Sequence, residues 1–286
     1  MSRFLNDMAR EAARLHLNVL RIAELRRGGE PEELTLQPCG VCQNGYSVAK
    51  AFTAAAVGLT YDRGLIDPAD HIADILRRFM PARYDERWED MTIDHLLRHR
   101  PGFPSGYLDI DVADLNPVTG GDYLAYLFNT TLSFAPGAEY RYSDAAYYLL
   151  SRAVTEKTGC ALDDFLWREL LLPLGFREMA FSHCPRGYAM GATGLYTGSA
   201  DTAKLARLYM DGGMWRGRRL LSKAWIDLSL EREYGFNRSG SNGFAKGGMN
   251  GQLLMGLPDQ DRAVAWHSFD ASDMMPLIDW VHAYQG

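Results

Sequence analysis

Ser47 and Lys50 stand three residues apart in NGYSVAKAFTAAAVGLTYDRG, residues 44 to 64, where an apolar helix opens. That spacing is about one helical turn, so hydroxyl and amine project from the same face. Two readings fit. A serine at a helix start can cap free N–H groups, with the lysine merely decorating the first turn. The same pair can be a nucleophile and its base, since unpaired N–H groups and the helix dipole favour developing negative charge there. A free lysine is neutral in only about one molecule in a few thousand at pH 7, so a basic role requires burial or a neighbouring cation. The flanking run AFTAAAVGL supplies an apolar setting.

Two later stretches offer partners for such a nucleophile. In YRYSDAAYYLL, Tyr142, Ser143 and Asp144 precede an apolar helix. Ser143 or Asp144 suits an N-cap, and a tyrosine poised there can pass protons to and from a hydroxyl. In FAKGGMNGQLLMG, Lys246, Gly247 and Gly248 lead into a strand. Glycines at that point let backbone and substrate approach closely. The N–H groups of Met249 and Ser47 could then form an oxyanion hole, although the glycines also suit an ordinary turn.

Other candidate motifs are weaker. Cys39 and Cys42 lack a second Cys or His pair at matching spacing, so CGVC is read as incidental. His95 and His99 have i, i+4 spacing but no intervening glutamate, and are read as packing residues. The literal KTG at Lys157 to Gly159 ends the helix that follows Tyr142, with Gly159 suited to its stop. No G-x-S-x-G occurs, which argues against an α/β-hydrolase elbow. No metal or cofactor is expected.

The elements that must position these residues follow from hydrophobic period. Residues 2–15 form an amphipathic helix with Phe4, Leu5, Met8, Ala12 and Leu15 on one stripe. LNVLRIAEL and EELTLQPC are strands joined across RRGGEP, and GQLLMGLPDQDRAVAWHS is a second hairpin around PDQD. Helices are predicted at Thr92, near Gly121, and from Ser143, Ser199 and Ser222, with a last one over about 272–284. The chain is therefore α+β, with an antiparallel sheet built from residues 1–64 and 196–286 and a helical lobe, 65–195, inserted between.

Of the 286 residues, 47% are hydrophobic and 23% charged, as in an ordinary globular protein. The net charge of −6 leaves no basic footprint for nucleic acid or an anionic membrane surface. No run approaches the roughly 20 apolar residues of a membrane span, and the first residues lack a secretory signal pattern. The expectation is a cytoplasmic protein acting on a small molecule, with its oligomeric state open.

S-x-x-K, then a tyrosine motif, then K-x-G on a late strand resembles the serine hydrolases related to class C β-lactamases and penicillin-binding proteins. The segments MTIDHLLRHRPGF, FAPGAEYRYSDAAYYLL and GATGLYTGSADTAKLARLYMDGGMWRGRRLLS are similar to that family as well. The resemblance implies a five-stranded antiparallel sheet flanked by helices, with the site between sheet and helical lobe. It implies Ser47 as acylated nucleophile, Lys50 as its activator and Tyr142 as proton shuttle. Lys246 would supply charge along the substrate-binding strand, beside Gly248, and Ser47 and Met249 the oxyanion hole.

Two positions depart from the pattern. Asp144 stands in place of an asparagine, so its carboxylate should pair with Lys50, raise the lysine pKa and repel an anionic substrate. Gly247 replaces the threonine of K-T-G. Both changes favour an esterase, amidase or peptidase over a β-lactamase, with a D-Ala-type peptidase or a non-catalytic binding homologue as alternatives. The acidic stretch over residues 103–120 adds to the expectation of a cationic or neutral substrate.

Overall fold

The computed structural model describes residues 2–285. Its main sheet runs in the order Glu32–Thr35, Val19–Arg26, Arg262–Ser268, Gln252–Leu257, Gly243–Gly248, Asn237–Ser239, with every neighbouring pair antiparallel. Both predicted hairpins are present, and they meet where Ile22 pairs with Trp266. The sheet has one strand more than the five expected. The addition, Asn237–Ser239, is short and polar and pairs with the first half of Gly243–Gly248. No apolar alternation marks it in the sequence, because it is an edge strand facing solvent.

Period-two alternation divides the sheet's faces. Leu253, Met255, Val264 and Trp266 point outward and pack with Phe4, Leu5 and Met8 of the helix Arg3–Arg14 and with Leu277 and Val281 of Met275–Ala283. Ser2 caps the first of these helices by accepting from the Leu5 N–H (3.2 Å). Leu254, Ala263 and Ala265 point inward and join the larger core with Leu205 and Leu208 of Ser199–Met210.

The Ser47 segment departs from a simple helix start. Tyr46–Val48 is a 3-10 turn that leads into an α-helix over Ala49–Asp62. Residues 49 to 60 of that helix are all buried, as expected of a helix apolar all round. Its alanines and Gly58 allow close approach. A Cβ at Gly58 would lie 2.3 Å from the Trp225 ring, so no larger residue fits there. The remaining predicted helices start where expected. Thr92 forms a capping box with His95, Asp122 caps Tyr123–Phe128, and Ser222 caps Lys223–Glu231. Asp144–Thr158 ends at Gly159 with φ 67°, so the literal KTG is a helix stop. No helix among the described residues is long and apolar enough to cross a membrane.

Candidate active site

A second, three-stranded sheet sets the position of Ser47. Gln43–Asn44, just before the 3-10 turn, pairs with Leu195–Thr197, which also pairs with Ala180–Phe181. Gly45 N–H donates to the Leu195 carbonyl (2.8 Å), and Asn44 Oδ1 accepts from Tyr46 N–H (2.8 Å). Tyr46 itself is held at φ 47°, a costly conformation for a bulky residue, of the kind that concentrates at functional sites. The turn thus lifts Ser47 out of the helix that Lys50 belongs to.

Ser47 does not serve as a helix cap. No side-chain cap is made at either the turn or the helix start. Ser47 Oγ instead accepts from Lys50 Nζ (3.1 Å) and from Tyr142 OH (2.6 Å). Lys50 Nζ also donates to Asp144 Oδ1 (2.6 Å) and to the Ala192 carbonyl (2.9 Å). Three acceptors engage all three hydrogens of an ammonium, so in this arrangement Lys50 is a cation. Burial pulls its pKa down, but the Asp144 carboxylate and Tyr142 outweigh burial and leave the pKa raised. The pairing expected from Asp144 is therefore present, and its negative charge is matched by Lys50 at contact distance.

Tyr142 lies between two lysines. Lys50 Nζ is 4.7 Å and Lys246 Nζ 5.0 Å from its ring centroid. Lys246 has its pKa lowered to about 7, by burial first and Lys50 repulsion second, with Asp144 opposing. The ring of His99 packs on Tyr142 with centroids 4.3 Å apart. Burial, then the Lys246 and Lys50 charges, hold His99 well below the usual imidazole range, so it is neutral. Reading it as a packing residue holds, but its packing partner is the site tyrosine. Ser143 occupies the N-cap position of the following helix without a side-chain cap bond.

On the strand side, a Cβ at Gly248 would come 2.3 Å from the Gly45 carbonyl oxygen. The strand end that leads into Met249 is thus pressed against the turn carrying Ser47, where the two expected oxyanion donors would have to meet. Gly248→Ala should force strand and turn apart. We expect at least a tenfold loss of kcat on a simple ester, with the far-ultraviolet circular dichroism spectrum retained.

Asp109 and Asp111, missed in the sequence as site residues, lie beside Asp144, with carboxylate oxygens within 4.8 Å of one another. Asp111 accepts from Thr193 Oγ1 (2.5 Å). Burial, followed by the Asp144 charge, raises the pKa of Asp109, and both effects also act on Asp111. Among the described residues this is the one group of acids, histidines and cysteines close enough to hold an ion, and Lys50 already brings a positive charge to it. Cys39 and Cys42 are free thiols, and burial with the Glu178 charge pushes Cys42 up to about 11, away from thiolate reactivity.

The Beta-lactamase family model matches residues 44–274. The chain belongs to the β-lactamase family. Among curated proteins it is 26% identical over 198 residues to the 6-aminohexanoate-dimer hydrolase of Paenarthrobacter ureafaciens, covering 64% of this chain and 49% of that protein. It is 28% identical over 228 residues to penicillin-binding protein 4 of Amycolatopsis lactamdurans, covering 68% of this chain and 58% of the relative. The chain thus spans about half the length of these curated relatives. Its fold matches that of EstCE1, a hydrolase with promiscuous acyltransferase activity, with a TM-score of 0.76 at 16% identity and 97% of each chain covered. Hydrolases thus recur among its relatives and fold neighbours.

Proposed function

We propose that this chain hydrolyses a small ester, amide or peptide through an acyl-enzyme on Ser47. The observation that carries the reading is the convergence of Lys50 Nζ and Tyr142 OH on Ser47 Oγ, at 3.1 and 2.6 Å. Tyr142 is the base, once it has lost the hydroxyl proton that it donates to Ser47 in this structure, because the hydrogen bonds of Lys50 leave that amine no free lone pair. The Tyr142 oxygen takes the Ser47 proton while the Lys50 and Lys246 charges over the ring offset the phenolate charge. Ser47 Oγ bonds to the acyl carbon, and the bond to the leaving oxygen or nitrogen breaks as that atom receives the proton. Water then attacks the acyl-enzyme, releasing the acid and restoring the serine. The N–H groups of Ser47 and Met249 bind the developing oxyanion.

The names of the relatives support hydrolysis of amide-type bonds, and the EstCE1 likeness supports the fold that would carry it. Gly247 and Asp144 set this chain apart from the pattern of β-lactamases. The test is a comparison of p-nitrophenyl butyrate with nitrocefin. We expect ester kcat/KM to exceed that for the β-lactam by about tenfold or more. Faster nitrocefin turnover would make the protein a β-lactamase, and no turnover or adduct with either would leave a binding homologue.

A further inference from the structure

The two N–H groups expected to bind the oxyanion belong to different sheets. Ser47 sits on the turn anchored by the three-stranded sheet, and Met249 opens the turn Met249–Gly251 between two strands of the main sheet. Such a pair of donors works only if its geometry is held to within about 0.5 Å. Two polar side chains that the proposed chemistry does not use lie beside these turns. Gln252 and His267 are 3% and 2% exposed, on neighbouring strands. By alternation they share the inward face with Leu254 and Ala265.

Gln252 grips the Met249 turn. Its Oε1 accepts from the Ser268 N–H (3.2 Å), and its Nε2 donates to the Ser268 carbonyl. Nε2 also reaches the Asn250 carbonyl (3.4 Å), one residue past Met249. Asn250 is left-handed at φ 57°, and its carbonyl accepts from the Asp270 N–H (3.1 Å) as well. His267 Nδ1 meets Gln252 Oε1 at 3.0 Å. The Ser268 backbone fixes which end of the amide is oxygen, so Nδ1 carries the hydrogen. Burial brings the ring pKa down to about 4, while the Thr197 backbone and the Glu33 charge oppose it, so His267 is neutral at pH 7. Thr197 is the register partner of Gln43, four residues before Ser47. An amide and an imidazole cost desolvation that apolar side chains at these positions would avoid. We infer that Gln252 and His267 are positioning residues, a bridge from the Met249 turn to Thr197 that sets the separation of the Met249 and Ser47 N–H groups. The inference rests on the hydrolase reading and names what holds its oxyanion hole in shape. Neither side chain is given contact with the reacting atoms, so losing the bridge should lower kcat and leave KM nearly unchanged.

A pair of substrates that differ only at the oxyanion tests this: p-nitrophenyl butyrate and its thiono analogue, in which sulfur replaces the carbonyl oxygen. Sulfur is a weak hydrogen-bond acceptor, so an intact hole favours the oxygen ester. Gln252→Met and His267→Leu keep a similar volume and remove the hydrogen bonds. In each, the ratio of kcat for the oxygen ester to kcat for the thiono ester should fall by about tenfold. His267→Asn, whose side-chain N–H can replace that of Nδ1, should keep the parent ratio. Both esters are read in one preparation, so loss of folded protein cancels. A ratio that stays at the parent value in either apolar variant, or that falls equally in His267→Leu and His267→Asn, overturns the inference. If the parent turns over neither ester, the hydrolase reading fails instead. The crystal structure of Gln252→Met then judges the bridge by itself. A separation of the Met249 and Ser47 nitrogens changed by about 1 Å or more supports it, and an unchanged separation overturns it.

Discussion

Replacing Ser47 with alanine should lower kcat on p-nitrophenyl butyrate by about 10⁴-fold or more, to the level left by binding and oxyanion contacts alone. The fold should survive, because Ser47 makes no capping bond and its hydroxyl serves only Lys50 and Tyr142. Loss of the hydroxyl leaves Lys50 with Asp144 and the Ala192 carbonyl, so the buried ammonium stays paired. We therefore expect a melting temperature within a few degrees of the parent, which separates a chemical loss from an unfolding one. Retained turnover in Ser47→Ala would place the nucleophile elsewhere.

Asp144→Asn should act on stability and on pH dependence together. The Lys50–Asp144 pair is buried, with side chains 0% and 5% exposed and 2.6 Å apart. Removing one member of such a pair costs about 3–5 kcal/mol by leaving the other charge unmatched. At this chain length the melting temperature should fall by about 5–15 °C. Lys50 can relieve part of that cost by giving up its proton. With the raising effect of Asp144 gone, burial is the largest influence left and only Tyr142 opposes it, so the Lys50 pKa should fall. A neutral Lys50 then has a free lone pair and can take the base role from Tyr142, so the acid limb of kcat/KM should move by at least about one unit. An unshifted limb would mean that Asp144 does not control the charge of Lys50.

Much of this site was legible because its parts lie in short, ordered patterns. Ser47 and Lys50 are one turn apart, while Tyr142 opens a helix and Lys246 lies near the end of a strand, so each is marked by its local element. The hairpins and the capped helices were equally readable, since their signals are periodic and local. Asp109, Asp111 and the packing of His99 on Tyr142 depend on contacts through space, and the acidic loop carries no regular period to announce them. The three-stranded sheet that anchors Gly45 was missed because its strands run two or three residues, too short for alternation to register. The strained Tyr46 and the packing of buried Lys246 against the Tyr142 ring are visible only once the chain is folded. The charge expected of the substrate was drawn from sequence position, and the structure places charge of both signs around the tyrosine.

If Ser47 is a nucleophile activated by Lys50 and Tyr142, an electrophilic phosphonate should trap its hydroxyl. Incubation with a fluorophosphonate probe, followed by intact mass and peptide mapping, tests it most directly. The prediction is one adduct per chain, located on Ser47, absent in Ser47→Ala and strongly slowed in Tyr142→Phe. An unmodified wild-type chain, or an adduct that persists in Ser47→Ala, would contradict it.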